Sequence, residues 1–435
     1  MTIAVMYRLV IWVATAAALS VPAFAELPLD RPVSLDETIA YALQNHSSVR
    51  SAERELNASR SSVKSARAAY LPQVSVESSY SRRGYEGGQV GTGIRRTGDF
   101  TDRQTFVGLT QTILDDGRMR TSVRQAAAAE KSAAAELELA RQERALAVTI
   151  AYYDALRAKR LADIASQAVK EADEQRNLVQ ARIEAGDAAA VDIYPADVQL
   201  ANARLDELNA GNDVRVSANA LRNAVGLGNG PELKLVEAEE PVTQLPQLEE
   251  AVSAALKERP ELAQSSAQLD SQRAAVSFAR SQVLPRPSAS ASYDLGLAGT
   301  GFDNQWFAGI DVTMNVFDGG ASIQDLKGSR SRLDAIALRD EQLKKDIATE
   351  VEEARLNLAS TLERLTASKT NVTLAQKNLE VAREKYKQGL AISLEVTTAQ
   401  NQHSDAQAGY AEALYDSHIA KARLDKAIGT KGYKL

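Results

Sequence analysis

The chain has 435 residues, a formal net charge of −6, only 5% aromatic residues and no cysteine. Lack of cysteine excludes a disulfide framework, a thiolate metal site, a thiol nucleophile and lipid attachment through an N-terminal cysteine, and the acidic balance argues against a nucleic-acid partner. Few aromatics beside abundant Ala, Leu, Gln, Arg and Glu is the composition of long helices, because those side chains lose little rotamer freedom there.

Residues 1–25 hold one charge, Arg8, followed by an apolar run from Leu9 to Leu19 and the small-x-small sequence Ala23-Phe24-Ala25. The pattern predicts a secretory signal peptide, since the run falls short of the roughly 20 residues a spanning helix needs. No later stretch is apolar enough to be a transmembrane helix, so an exported chain of this kind is either free beyond the inner membrane or a β-barrel.

The remainder repeats itself. The stretch from Leu35 to Leu43 aligns with that from Leu248 to Leu256 at an offset of 213, which also carries Leu71-Pro72 onto Leu284-Pro285 and Tyr80 onto Tyr293. Phe106-Val107-Gly108 meets Phe307-Ala308-Gly309 at 201, Asp116-Gly117 meets Asp318-Gly319 at 202, and Gly186 and Gly226 meet Gly389 and Gly429 at 203. Offsets that change only where a loop can change length imply two copies of one architecture. The predicted division is a first repeat over 26–225, a linker over 226–247, a second repeat over 248–429 and a C-terminal tail over 430–435.

Each repeat reads helix, strand, loop, strand, very long helix, turn, long helix. The opening helix begins beside acids that suit its dipole and stops at Pro72 or Pro285. Strand pairs follow at about 72–114 and 285–317. Val74, Val76 and Tyr80 fall on one face; Ala289, Ala291, Tyr293 and Leu295 alternate with Ser288, Ser290, Ser292 and Asp294; and Trp306, Ala308, Ile310, Val312, Met314 and Val316 share one side. Alternation of this period belongs to strands with one apolar and one wet face. The strand near 104–114 is less regular, because Gln111 falls on the apolar side. Strands of about 10 residues reach across a membrane when tilted, and Trp306 heads its strand where a girdle residue sits. A sheet packed on a soluble core shows the same alternation. The Gly-rich loop over 81–103 carries Arg82, Arg83, Arg95, Arg96 and Arg103 and is expected to be extracellular, able to meet lipopolysaccharide phosphate.

Residues 118–185 contain neither Gly nor Pro and, as one helix, would span about 100 Å. The counterpart over 321–388 has the single Gly328. Leu343, Ile347, Val351, Ala354, Leu358, Leu362 and Leu365 follow an 11-residue repeat, which packs nearly straight; Leu365, Val372, Leu379 and Tyr386 step by 7, which coils left-handedly toward Gly389. Gly186 and Gly389 are the predicted positive-φ turns at the tips of two helical hairpins. Pro195, about nine residues into the helix after Gly186, predicts a kink that the second tip, with Thr398 there, lacks. Four strands cannot close a barrel, and an open edge is not tolerated in lipid, so spanning strands require oligomers. Three chains would give 12 strands and leave a channel.

Tyr386-Lys387-Gln388-Gly389, Leu394-Glu395-Val396, Ala399-Gln400, Leu424 and Ala427-Ile428-Gly429 resemble the Y-x-x-G, D-V-L-x-A-Q and L-x-x-A-x-G signature of the outer-membrane efflux protein family, the TolC-like exit ducts. The segment from Gly186 to Gly226 is a weaker copy, and the Leu-Pro before and Asp-Gly after each strand pair also fit. The resemblance covers nearly all of the chain beyond residue 25. It implies a mainly α fold with a β-barrel part: a homotrimer with a 12-stranded outer-membrane barrel continued by a 12-helix periplasmic α-barrel, set among outer-membrane lipid. It further implies an entrance at the helix tips, opened by docking of a periplasmic adaptor (membrane fusion) protein and an inner-membrane pump on Gly186 and Gly389. Tyr386 would take the aromatic place at that entrance, Glu395 the first acidic place and Asp192 the corresponding place in the first repeat. The positions that can hold a basic partner and a second acid are Ala391 and Thr398 here, which argues against a Tyr–Arg–Asp type of latch. Asp192 and Glu395 from three chains would put six carboxylates about one axis.

His46, His403 and His418 are scattered outside any metal-binding spacing, and the Gly-rich loop lacks the Lys-Ser/Thr of a phosphate cradle. No enzyme, cofactor or metal site is expected. Two functions remain: a passive trimeric conduit of an efflux or type I secretion system, and a structural periplasmic coiled-coil protein with a small soluble sheet.

Overall fold

The structure, a computed structural model, describes residues 31–85, 98–228, 233–238, 245–298 and 301–430. The expected signal peptide, Arg95, Arg96 and residues 431–435 lie outside the described residues. Its helices are α1 (Leu35–Asn45), α2 (Ser47–Ala68), α3 (Arg118–Glu184), α4 (Ile193–Val225), α5 (Leu248–Glu258), α6 (Pro260–Ser281), α7 (Ala321–Lys387) and α8 (Ser393–Ile428). Its strands are β1 (Gln73–Tyr85), β2 (Gly98–Leu114), β3 (Arg286–Ala298) and β4 (Gly301–Thr313).

The duplication is carried into three dimensions: α1 and α5 have 11 residues each, α2 and α6 have 22, and α3 and α7 have 67. Several expectations are corrected. The opening helix is two helices, broken where His46 and Arg259 adopt extended backbone. The arginine-rich loop is shorter than 81–103, because β1 runs on to Tyr85 and β2 starts at Gly98. β4 stops at Thr313, so Met314 to Phe317 are not strand. The Asp-Gly equivalence is also displaced by one residue. Asp115 accepts from the Gly117 and Met119 N–H groups (3.0 and 2.7 Å), and Asp318 accepts from those of Gly320 and Ser322 (3.0 Å each). These matching caps pair Asp115 with Asp318 at the 203 offset that then holds to the end of both repeats.

The strands form one antiparallel sheet in the order β1-β2-β3-β4. Its register aligns the apolar faces: Val74 lies opposite Leu109, Leu109 opposite Tyr293, and Tyr293 opposite Trp306. This face is left uncovered by the chain, with Val74 68%, Trp306 76% and Ile310 78% exposed. Ser75, Thr110, Ser292 and Asp311 share the other face. Phe307 is on that polar side and lies along its own strand over Gly309, where an added Cβ would come within 2.6 Å of the ring. The irregular Gln111 is accommodated because its amide donates to the Tyr70 carbonyl (3.0 Å) at the end of the sheet, beside a bulge in β2 between Thr112 and Leu114.

The long helices continue the sheet as a single layer. Near the strands the packing order is α2-α3-α6-α7, and farther away it is α4-α3-α8-α7. Ile347, Val351, Leu358, Leu365 and Leu379 form the buried face of α7, as their spacing predicts. One border of the layer is α2 and α4, continuous with β1. The other is α7, continuous with β4.

Between the two levels, each repeat has a joint where a helix C-terminus abuts the break in the opening helices. Carbonyls left unpaired at a helix end favour a cation. In the first joint Arg144 of α3 donates to the Ala224 carbonyl (3.3 Å), while His46 Nδ1 accepts from Ser48 N–H (3.1 Å) and its ring lies against Gly226. In the second, Ile347 stands at the place of Arg144 and Arg259 at that of His46. Arg259, 7% exposed, donates to the Ala427 carbonyl (3.1 Å), Glu261 (2.9 Å) and Glu350 (2.8 Å). Parallel pairing of Val33 with Leu235 locks the linker onto the first joint, with the buried Tyr152 hydroxyl 3.1 Å from the Val33 carbonyl. Burial pushes that phenol up to about 12.

Burial, with the nearby Arg144 charge, holds the His46 imidazole below its ordinary 6.5. The unfolded chain therefore takes up the proton first. The joint's stabilisation is present above about 6.5 and is lost as pH falls through that value toward the depressed native one. Urea unfolding midpoints should drop between pH 7.5 and 5.5 in the unmodified chain. In His46→Asn, which keeps a capping acceptor, that drop should shrink. Arg259→Ala leaves Glu261, Glu350 and the end of α8 without their cation and should cost about 2–3 kcal/mol, below the fully buried range because Glu350 is half exposed. Arg144→Ala, removing one hydrogen bond, should cost about 1 kcal/mol in the same denaturation assay.

Candidate functional site: the hairpin tips

The two hairpins end on glycines. Gly186 and Gly389 have φ of +83° and +75°, a conformation side chains resist, and each closes its helix with the same pair of bonds. In the first tip Gly186 N–H donates to Ile183 (3.1 Å) and Asp187 N–H to Arg182 (2.8 Å). In the second, Gly389 N–H donates to Tyr386 (3.1 Å) and Leu390 N–H to Lys385 (2.9 Å).

The return helices start differently. After Gly186 a single 3-10 turn, Ala190–Asp192, precedes α4, whereas α8 begins directly at Ser393. Pro195 is thus the third residue of α4, in the first turn where helix N–H groups lack intrahelical partners, and the predicted kink nine residues into a helix is corrected. Asp192 is half-buried and accepts from Ala189 N–H (3.2 Å), closing the 3-10 turn. Glu395 is exposed in the first turn of α8, and it lines a groove of about 360 Å³ between α7 and α8 with Lys385, Asn378, Thr398 and Gln402.

Tyr386 is placed differently from both acids. It is 5% exposed and packs with Val179, Ala196 and Val396, flanked by Ile183, Ile193 and Ala391. The Arg182 guanidinium sits 4.7 Å from its ring centroid and donates to its backbone carbonyl (2.8 Å). The basic partner that Ala391 cannot supply therefore comes from the other hairpin. The small Ala391 side chain leaves room for the ring to turn inward, and Thr398 spends its hydroxyl on the Leu394 carbonyl (2.8 Å). Arg182 was the residue missed by motif spacing. Its signal was modest: a cation in the last turn of a helix, four residues before the glycine.

Further contacts bind the first hairpin to the second. Glu171 accepts from Arg383 (2.7 Å) while its carbonyl accepts from Gln400 (3.3 Å), and Gln199 donates to Asn401 (2.6 Å). Higher up, Asp416 of α8 is held by Arg157 of α3 (3.1 Å) and by Arg364 of α7.

Trp306 is the sixth residue of β4, in mid-strand rather than at the head as the girdle expectation required, because the β3–β4 hairpin extends the strand back to Gly301. No helix among the described residues is long and apolar enough to cross a membrane. Among those residues there is also no group of three or more His, Asp or Glu side chains arranged to hold a metal.

The chain matches the outer membrane efflux protein family over residues 38–227 and 251–430, one segment in each repeat. It is 24% identical to the outer membrane efflux protein BepC of Brucella suis, with 91% of this chain and 86% of the relative covered. It is also 24% identical to the outer membrane protein TolC of Escherichia coli, covering 92% and 83%. Among solved structures, the Campylobacter jejuni CmeC outer membrane channel superposes with a TM-score of 0.78 at 18% identity, covering 91% of this chain and 85% of that one. The Neisseria gonorrhoeae MtrE channel in its open state gives 0.77 at 20% identity, covering 92% and 89%. With both repeats matched, the chain belongs to the outer membrane efflux protein family, whose members are channels of the outer membrane with a helical periplasmic extension.

Proposed function

We propose that three copies of the chain close into a 12-stranded barrel and a 12-helix tunnel, forming the passive exit duct of a tripartite efflux or type I secretion assembly. One observation carries this reading: sheet and helical layer share the same two borders, and both borders are chemically unfinished. The outer edges of β1 and β4 have no strand partner among the described residues. On α7, Leu338, Leu356 and Leu374 are each more than half exposed and recur every 18 residues, five full turns, on the side opposite the buried face. On α4, Tyr194, Val198, Leu205 and Leu208 form a second exposed stripe. Joining the α7 border of one copy to the α2–α4 border of the next would bury both stripes and pair both strand edges. A soluble periplasmic protein gives no reason for the uncovered apolar face of the sheet.

In this duct the tips are the entrance, and an adaptor with its inner-membrane pump docks at Gly186 and Gly389. The closed state is held by the contacts between hairpins, with Tyr386 clasped by Arg182 inside one chain. Glu395 supplies the free carboxylate of an axial ring, since Asp192 is tied into its turn. The relatives' names support efflux; cargo choice belongs to the pump, because a duct offers no dedicated pocket.

Detergent-extracted protein should migrate as a heat-modifiable trimer, and recovery as a soluble monomer would refute the assembly. Stacking and the charged hydrogen bond of Arg182 together hold roughly 2 kcal/mol, so Arg182→Ala should raise the open population by about thirtyfold in planar-bilayer recordings. Tyr386→Phe, keeping the ring and the carbonyl, should leave it unchanged. The pair Asp192→Ala and Glu395→Ala should abolish divalent-cation block, with Glu395→Ala alone giving most of the loss; unchanged selectivity in the pair rejects the ring.

A further inference from the structure

We propose that the helix ends nearest the sheet form a basic collar that binds anionic phospholipid headgroups of the periplasmic leaflet. The proposal rests on the membrane placement of the sheet given above. Lys64 and Arg67 close α2, Arg120 and Arg124 open α3, Arg280 closes α6 and Lys327 opens α7. All six lie within about 10 Å of the helix ends that join the strands, at 1.5 Å per residue. All are exposed, and none has a carboxylate partner among the described residues. The chain as a whole is acidic, at −6, so this concentration of positive charge is local.

Three nearby acids are already committed, while Glu77 and Asp311 lie exposed on the polar face of the adjoining strands. Asp115 and Asp318 cap α3 and α7 through backbone N–H groups, and Asp116 is shared between Arg286 (3.7 Å) and Arg118 (4.0 Å). Within the same helix turns only Asp325 remains. The four helices follow one another in the layer as α2-α3-α6-α7, so the six cations are spread across the width of one copy.

Next to these cations, on the sheet side, is an apolar belt. Leu71 is 62% exposed, Leu284 55%, Met314 53%, Val316 88% and Phe317 89%. Met314 to Phe317 continue the apolar sequence of β4 beyond its last paired residue, where no strand requires it. An apolar band followed within one or two helix turns by unpaired Lys and Arg is the profile of a surface seated at a lipid–water boundary, with acyl chains against the band and phosphates against the cations. A soluble polyanion would use the cations and leave the belt without a partner. Lipid satisfies both.

Native mass spectrometry of the detergent-extracted full chain can test this, with phosphatidylglycerol compared against phosphatidylethanolamine of the same acyl chains. The unmodified protein should retain the anionic lipid about fivefold or more over the zwitterionic one, and 0.5 M NaCl should erase most of the difference. The variant carrying Lys64→Gln, Arg67→Gln, Arg120→Gln, Arg124→Gln, Arg280→Gln and Lys327→Gln should lose the preference while keeping its oligomeric state and its retention of lipopolysaccharide. Should that variant fail to assemble, the pairs Lys64→Gln with Arg67→Gln and Arg120→Gln with Arg124→Gln should each show a partial loss. Equal retention of both lipids by the unmodified protein overturns the proposal. So does a preference that survives neutralisation while ion selectivity of the pore shifts, which would place these cations in the lumen. A monomeric mass in the same spectra would instead refute the assembly, so the two failures are distinguishable.

Discussion

A peptide group that faces hydrocarbon without a hydrogen-bond partner is among the most expensive features a protein can carry. With the sheet in the membrane as proposed, the outer edges of β1 and β4 would present two rows of such groups in a lone copy. Much of the remaining architecture can be understood from this constraint. Helices that share the borders of the sheet prolong the same unfinished wall for many turns. Stripes of leucine on the outer side of α7 and of mixed apolar residues on α4 then become explicable as edges of a larger object. In the proposed assembly the molecule is one segment of a wall, and its largest cores lie at the two joints, around Val33 and Tyr152 in one repeat and around Ile347 and Leu424 in the other.

Stiffness and looseness are divided along this wall. At the joints the buried Arg259 guanidinium makes several bonds at once, Arg144 and His46 each tie a helix end, and the apolar clusters are largest there. At the tips the clusters shrink to a handful of side chains, and the hairpins hold each other through single polar contacts. Such a gradient suits an element whose base stays fixed while its end moves, since local opening follows the density of buried contacts.

Periodicity made the long helices and the faces of the strands legible, because burial on one side repeats every 3.5 to 3.7 residues in one case and every two in the other. Glycine turns were legible for an equally local reason, as positive φ excludes most other residues. What escaped were features decided by a neighbour distant in sequence. The break at His46 carries no proline, and the His46 ring lies against Gly226, 180 positions away. The end of β4 could not be seen while apolar alternation ran on to Phe317, since pairing with β3 terminates the strand. Inward rotation of Tyr386 depends on Arg182, 204 positions away. The family signature pointed to the tips as the place that matters, and only the packing showed how they are held.

The two joints also bear on how the halves came apart after duplication. A guanidinium serves the end of the return helix in both, yet it arrives from α3 in one and from the break between α5 and α6 in the other. Each solution is complete inside its own repeat. Transplanting an entire repeat would therefore preserve it, whereas grafting only the opening helices would give one helix terminus two cations and the other none. Divergence on this scaffold is modular at the level of the whole half, and the opening helices and long helices of each half are bound to change together.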